Sequence, residues 1–200
     1  MHGMQYGNLR EKLKAYLHID QTPKIPTDET WPFGLFGKNH YKFKKLLSDL
    51  SQFLHQYLHV RFVDELPLEP RETLVEMWVN FIKIQGSHKI APFIFNLTLK
   101  HPQLQKHLLP IRRLDYMRWY IDNYLNHDED YRDAISQLNC PTTFFIGEKS
   151  SLYPSEGQMK VSGSLSNAKN IIFKQSGHTL LITEPVKFGQ EIRSFLKASA

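Results

Sequence analysis

Apolar residues recur at three- and four-residue intervals through the middle of the chain and alternate with polar ones toward its C-terminal end. Leu46, Leu47, Leu50, Phe53, Leu54 and Tyr57 make one stripe at helical spacing. Leu74, Met77, Trp78, Phe81 and Ile82 make a second, with Pro70 placed to open that helix. A third stripe falls at 93–99, and a fourth, rich in Tyr and Trp, at 114–125. Helical periodicity from 41 to about 136, with almost no strand signal inside it, predicts four or five successive helices forming an insertion. Aromatic stripes of this kind ordinarily serve core packing.

The flanking regions read differently. Residues 8–14 resemble the polar end of a helix. Residues 15–20 (AYLHID) predict a short strand that Pro23 ends, because proline cannot continue a ladder. The stretch 24–37 carries Pro26, Trp31, Pro32, Gly34 and Gly37. It is too apolar for a free linker, so it predicts an ordered loop with aromatic anchors. From 141 to 147 a β-rich run closed by Gly147 predicts a buried strand. A helix at 155–165, a strand at 170–174, a loop at 175–179 and an amphipathic helix at 185–196 follow. That succession is the closing unit of a parallel α/β sheet.

Composition narrows the picture. A chain of 200 residues with 41% hydrophobic content can bury a sizeable core. No apolar run reaches the roughly eighteen residues of a membrane span, and residues 1–7 do not read as a secretory signal. The single cysteine, Cys140, allows no internal disulfide and fits a reducing compartment, so a cytoplasmic location is expected. The formal charge of +5 raises the question of nucleic acid. The densest basic cluster is Lys38, Lys42, Lys44 and Lys45, with Arg112 and Arg113 far away in sequence; this reads as a solvated face rather than an interface. Neither nucleic acid nor a membrane is expected as a partner. His55 and His59 have ligand spacing on a helix but no HExxH-type companion, and no phosphate loop or dinucleotide fingerprint occurs. No metal or cofactor is expected.

One histidine stands apart from the other nine. His178 lies in QSGHT at 175–179, just past a predicted strand and before the last helix, where open α/β sheets place their sites. Its imidazole takes and returns a proton near neutral pH, and Gly177 is expected to allow the backbone turn that aims the ring.

The segment CPTTFFIGEKSSLYP at 140–154, followed by Ser176-Gly177-His178 and then Pro185 and Phe188, resembles the end of an α/β-hydrolase. The resemblance is specific over 138–196. It implies a partial parallel α/β sheet of about three strands with a large helical lid. The implied parts are the end of a helix and the acid-bearing strand at 1–23, the lid at 24–137, and the closing strand-helix-strand-helix at 138–200. It also implies that His178 is the triad histidine. Many members carry the acid in a Gly-x-x-Asp segment after the next-to-last strand, but here that stretch is Gly147-x-x-Ser150, with no aspartate. A minority place it one strand earlier, and YLHIDQTPK at 16–24 resembles that strand end with Asp20 in the acid's position. Glu148 remains the alternative acid, and a turn-capping role before Thr22-Pro23 is the alternative use of Asp20. Cys140, beside Pro141 at a strand start, reads as buried and inert.

The family's nucleophile sits in a Gly-x-Ser-x-Gly turn, and no such motif occurs here. Residues 1–4 (MHGM) resemble the residues just after such a serine, so the expectation is a chain that begins in or just past the elbow. Ser150 and Ser151 lie at a strand end, but no elbow presents them. The resemblance then implies an ester- or thioester-type acyl hydrolase of a small apolar acyl or aromatic substrate, with no cofactor and inactive in this form alone. Trp31, Trp78 and Trp119 are its candidate substrate contacts. A complementary N-terminal fragment or a second copy would be the natural partner. The competing expectation is a non-catalytic remnant or a lid-based binding protein.

Overall fold

The computed structural model describes residues 10–84, 112–126 and 128–199. The stripe expected at 93–99 and the motif at 1–4 lie outside them. The chain divides into two compact units, one built from 1–40 with 128–200 and the other from 41–127.

In the first unit, β1 (Tyr16–Ile19), β2 (Thr142–Gly147) and β3 (Ala168–Phe173) form a parallel sheet in the order β1-β2-β3. Tyr16 pairs with Thr142 and Thr142 with Ala168. The expected strand at 170–174 therefore starts two residues earlier, because pairing with β2 recruits Ala168 and Lys169, which the local pattern did not mark.

The sheet's alternation sorts its side chains onto two faces. On one, Phe144 and Ile146 are fully buried with Trp31, Ala134, Ile135, Leu138, Cys140 and Val161. The opposite face carries Phe145 and Phe173, packed with Leu180, Phe188 and Ile192. The helices covering these faces are a short one at Arg132–Ser136 and another at Ser155–Ser162 on the first side. On the second side they are a single turn at Leu180–Thr183 and a long helix at Pro185–Ser199. The helix at 132–136 closes the expected helical stretch, whereas the turn at 180–183 lies outside the expected helices, since one turn is too short to display a period.

The loop at 24–37 is ordered as expected. Lys24, only 8% exposed, pairs with Asp28 at 2.5 Å and lies 3.7 Å from Asp130, which in turn holds Arg132. Trp31 is packed into the core, and its indole N–H donates to Thr22 Oγ1 at 3.1 Å. The same hydroxyl faces the carbonyls of Lys24 and Phe33. Replacing Thr22 with Val keeps the shape but orphans a buried indole N–H. The expected cost is about 1–3 kcal/mol, read as a lower urea midpoint.

The second unit is helical among its described residues: Leu68–Ile84, Leu114–Asn126 and the body of the helix His40–His55. Phe43 packs against Phe81 and Tyr124, so the three helices meet at one ring, and Ser51 donates to Asp122 at 2.6 Å. Leu47, Leu50, Phe53 and Leu54 from the first stripe are buried, as are Leu74, Leu114, Met117 and Ile121 from the others. His55 is half exposed and bonded to the Ser51 carbonyl.

Candidate active site

Asp20 follows directly on β1, and its amide still belongs to the sheet, donating to Phe145 O at 2.8 Å. Its φ of 37° lies in the left-handed region, which Asp tolerates better than most residues. That turn lifts the carboxylate over the ends of β1 and β2, where it is fully buried. Oδ1 accepts the Gly147 amide at 3.0 Å and Gln158 Nε2–H at 2.8 Å. Oδ2 accepts the Ser150 hydroxyl at 2.7 Å and His178 Nδ1–H at 3.0 Å. These donors fill the roughly four acceptor positions of a carboxylate.

His178 lies 158 residues from Asp20 in sequence. A carboxylate that only accepts requires the proton on Nδ1, which leaves Nε2 with a lone pair in the neutral ring. The side chain is 38% exposed, and Tyr153 packs edge-on to the ring at 5.2 Å. Nε2 makes no hydrogen bond among the described residues. The buried and exposed sides of the ring thus suit different tasks, orientation at Nδ1 and proton exchange at Nε2.

The loop bearing His178 is fixed from behind. Ser176 donates to Glu184 at 2.7 Å and accepts from Thr183 at 2.6 Å, and the Gln175 amide also donates to Glu184 at 3.0 Å. The Ser176 hydroxyl, then the Gln175 amide, hold the Glu184 carboxyl below the usual range. Gly177 does not use the left-handed region, and a Cβ there would meet only Lys149 O at 3.5 Å. The essential glycine is Gly147, where a Cβ would overlap the Gly177 carbonyl oxygen and stand 3.0 Å from that of Ser176.

Beneath the acid, His18 is 1% exposed, accepts the Tyr16 hydroxyl at 3.2 Å and donates from Nε2 to Gln21 O at 3.1 Å. Burial pushes the Tyr16 hydroxyl up to about 12 and lowers the pKa of His18 below its ordinary 6.5. A lowered histidine pKa means that the unfolded chain binds the proton first as pH falls through 6.5. Stability is therefore expected to fall from that pH downward, until the folded-state pKa is passed. Urea midpoints taken between neutral and mildly acidic pH should show that slope, and His18→Gln should flatten it.

The structure brings Asp20 and His178 together. Glu148 is exposed, with its amide on Phe173 O, and among the described residues the carboxylate bonded to the histidine is that of Asp20. Cys140 is buried. Among the candidate substrate contacts, Trp31 is 2% exposed, with its N–H bonded to Thr22, and packs in the core. Trp78 stacks on Phe81 at 4.8 Å, and Trp119 is 66% exposed; both belong to the helical unit. Gln158 was missed by sequence reasoning and had no local signal, since its partner Asp20 lies 138 residues away. Ser150 had one, because it occupies the acid's usual place in Gly-x-x-Asp.

No family model matches the sequence. Residues of this chain are 32% identical over 73 positions to a pimeloyl-[acyl-carrier protein] methyl ester esterase of Aliivibrio fischeri, spanning 36% of this chain and 28% of that protein. An esterase from Exiguobacterium antarcticum superposes with a TM-score of 0.59 at 16% identity, over 98% of this chain and 61% of its own. MenH from S. aureus superposes with a TM-score of 0.57 at 14% identity, over 99% of this chain and 63% of its own. The chain has an α/β-hydrolase fold. It spans less than two thirds of the length of these α/β-hydrolases. Among the described residues, no helix is long and apolar enough to cross a membrane.

Proposed function

We propose that the chain contributes the acid and the base of an ester- or thioester-type acyl hydrolase, with Asp20 as acid and His178 as base. The observation that carries this reading is the 3.0 Å contact between His178 Nδ1 and a fully buried Asp20 carboxylate, at the C-terminal ends of two parallel strands. Nε2 takes the proton of an attacking nucleophile, Asp20 stabilises the imidazolium that results, and Nε2 returns the proton to the leaving group. The relative named as a methyl ester esterase supports ester chemistry. The helical stretch selects an apolar acyl or aromatic substrate on this reading, and Trp78 and Trp119 are the contacts to vary.

The 200 residues contain no Gly-x-Ser-x-Gly turn, so the nucleophile is supplied by complementary polypeptide, and these residues alone turn over no ester. The experiment is fluorophosphonate labelling, first of the isolated chain and then of the native polypeptide or complex that contains it. An unlabelled isolated chain, with native labelling lost on His178→Ala, is the expected result. Labelling of the isolated chain would overturn the missing nucleophile, and no labelling of the native species would overturn the hydrolase. The missing motif also favours a second reading, a non-catalytic remnant or lid-based binding protein. In that case the native species is unlabelled and His178→Ala changes nothing catalytic.

A further inference from the structure

Two donors converge on the single oxygen of Asp20 that holds His178. Besides Nδ1–H at 3.0 Å, Oδ2 accepts the Ser150 hydroxyl at 2.7 Å, within the range of a charge-assisted O–H···O bond. The direction of that hydroxyl is set: Ser150 Oγ accepts the Tyr153 amide at 3.2 Å, so its own proton goes to the carboxylate. On the other oxygen, Gly147 N–H and Gln158 Nε2–H prevent rotation of the carboxylate. Gln158 is itself fixed, since its amide faces two acceptors, Asp20 Oδ1 and the Tyr153 carbonyl at 3.1 Å. The half-buried Ser150 comes from the turn after β2 and the buried Gln158 from the helix Ser155–Ser162, so neither belongs to a strand that carries the pair.

We propose that Ser150 is a positioning residue that shares Asp20 Oδ2 with His178 and so sets the strength of the Asp20–His178 hydrogen bond. The proposal rests on the reading of this pair as acid and base, and it deepens that reading by assigning the control of the bond. Two donors on one oxygen divide its negative charge. Removal of the hydroxyl concentrates that charge on Nδ1–H, while Gly147 and Gln158 keep the carboxylate in place. The bond to His178 then shortens and its proton is deshielded. A merely structural serine would act the other way: its loss would loosen the turn and weaken the bond.

The test uses the full chain, with no need of turnover: proton NMR of the low-field His178 Nδ1–H resonance, assigned by its loss in His178→Ala. In Ser150→Ala the resonance is expected to move downfield by more than its linewidth, and in Ser150→Thr, which keeps the hydroxyl, to stay at the wild-type position. No shift in Ser150→Ala, or an upfield shift or loss with the far-UV circular dichroism intact, would overturn the proposal. Should Ser150→Ala unfold, Ser150→Cys reads the same quantity, because a thiol is a weaker donor. It is expected to shift the resonance downfield by less than full removal, and no shift would be fatal. Asp20→Asn separates this inference from the reading beneath it. If that variant leaves the resonance unmoved, the Asp20–His178 pair itself is wrong. If it removes the resonance while Ser150→Ala does nothing, only the role of Ser150 fails.

Discussion

If Asp20 is the acid of the proposed hydrolase, Asp20→Asn is expected to lower ester turnover of the native polypeptide or complex about 10⁴-fold while leaving the fold in place. The carboxylate accepts from four donors, and His178 Nδ1–H is one of them. An amide of the same shape has one accepting oxygen. The Gly147 amide is a fixed backbone donor and Gln158 Nε2 has a second acceptor in Tyr153 O, so the amide oxygen takes the Oδ1 position. The NH₂ group then faces Ser150 and His178. Ser150 can rotate its proton away, but a donor facing Nδ1 selects the tautomer with the proton on Nε2. The ring then has no lone pair at the atom that must take the proton. The expected kinetic signature is a loss in kcat with KM little changed, since the altered group does not touch substrate. Equal activity in the Asn variant would remove Asp20 from the mechanism.

Gly147→Ala is expected to damage the site through the backbone rather than through any reacting group. A Cβ on Gly147 overlaps the Gly177 carbonyl oxygen and crowds that of Ser176, both main-chain atoms beside His178. Relief requires either the end of β2 or the histidine loop to move. The loop is tied to Glu184 through Ser176 and Gln175, and the end of β2 carries the amide that holds Asp20 Oδ1. Either displacement separates acid from base. Overpacking of this kind costs about 1–3 kcal/mol of stability. A misplacement near 1 Å at the reacting groups costs about 10²-fold in rate. Gly177→Ala is the control: its Cβ makes only an ordinary contact, so activity should stay near wild type. A reversed ranking of the two alanines would show that the close approach has been assigned to the wrong glycine.

The site was legible in part. His178 and Asp20 are both visible from sequence because each ends or follows a short strand with recognisable punctuation, Thr22-Pro23 after one and Ser176-Gly177 before the other. Ser150 was visible only as a departure from Gly-x-x-Asp, and its contact with Asp20 was not. Gln158 was not legible at all: helical periodicity marks it as one position on a short helix, and nothing local says that its amide faces a carboxylate 138 residues away. Trp31 anchors its ordered loop, as the apolar character of that stretch predicts, but where it packs was not legible. Its burial depends on Ala134, Ile135 and Phe144, which arrive from distant parts of the chain.

Local chemistry in the sequence determined the helical stripes, the three short strands and the two residues able to act as acid and base. These follow from periods, turn residues and side-chain types, which are properties of neighbours in the chain. Tertiary structure alone decided the rest. Parallel pairing of β1 with β2 and β2 with β3 brings three strand ends into line, because parallel strands point their C-terminal ends the same way. That alignment puts Asp20, Gly147 and His178 at one edge, sets the Asp20 carboxylate against the His178 ring, and makes Gly147 the glycine that must stay small.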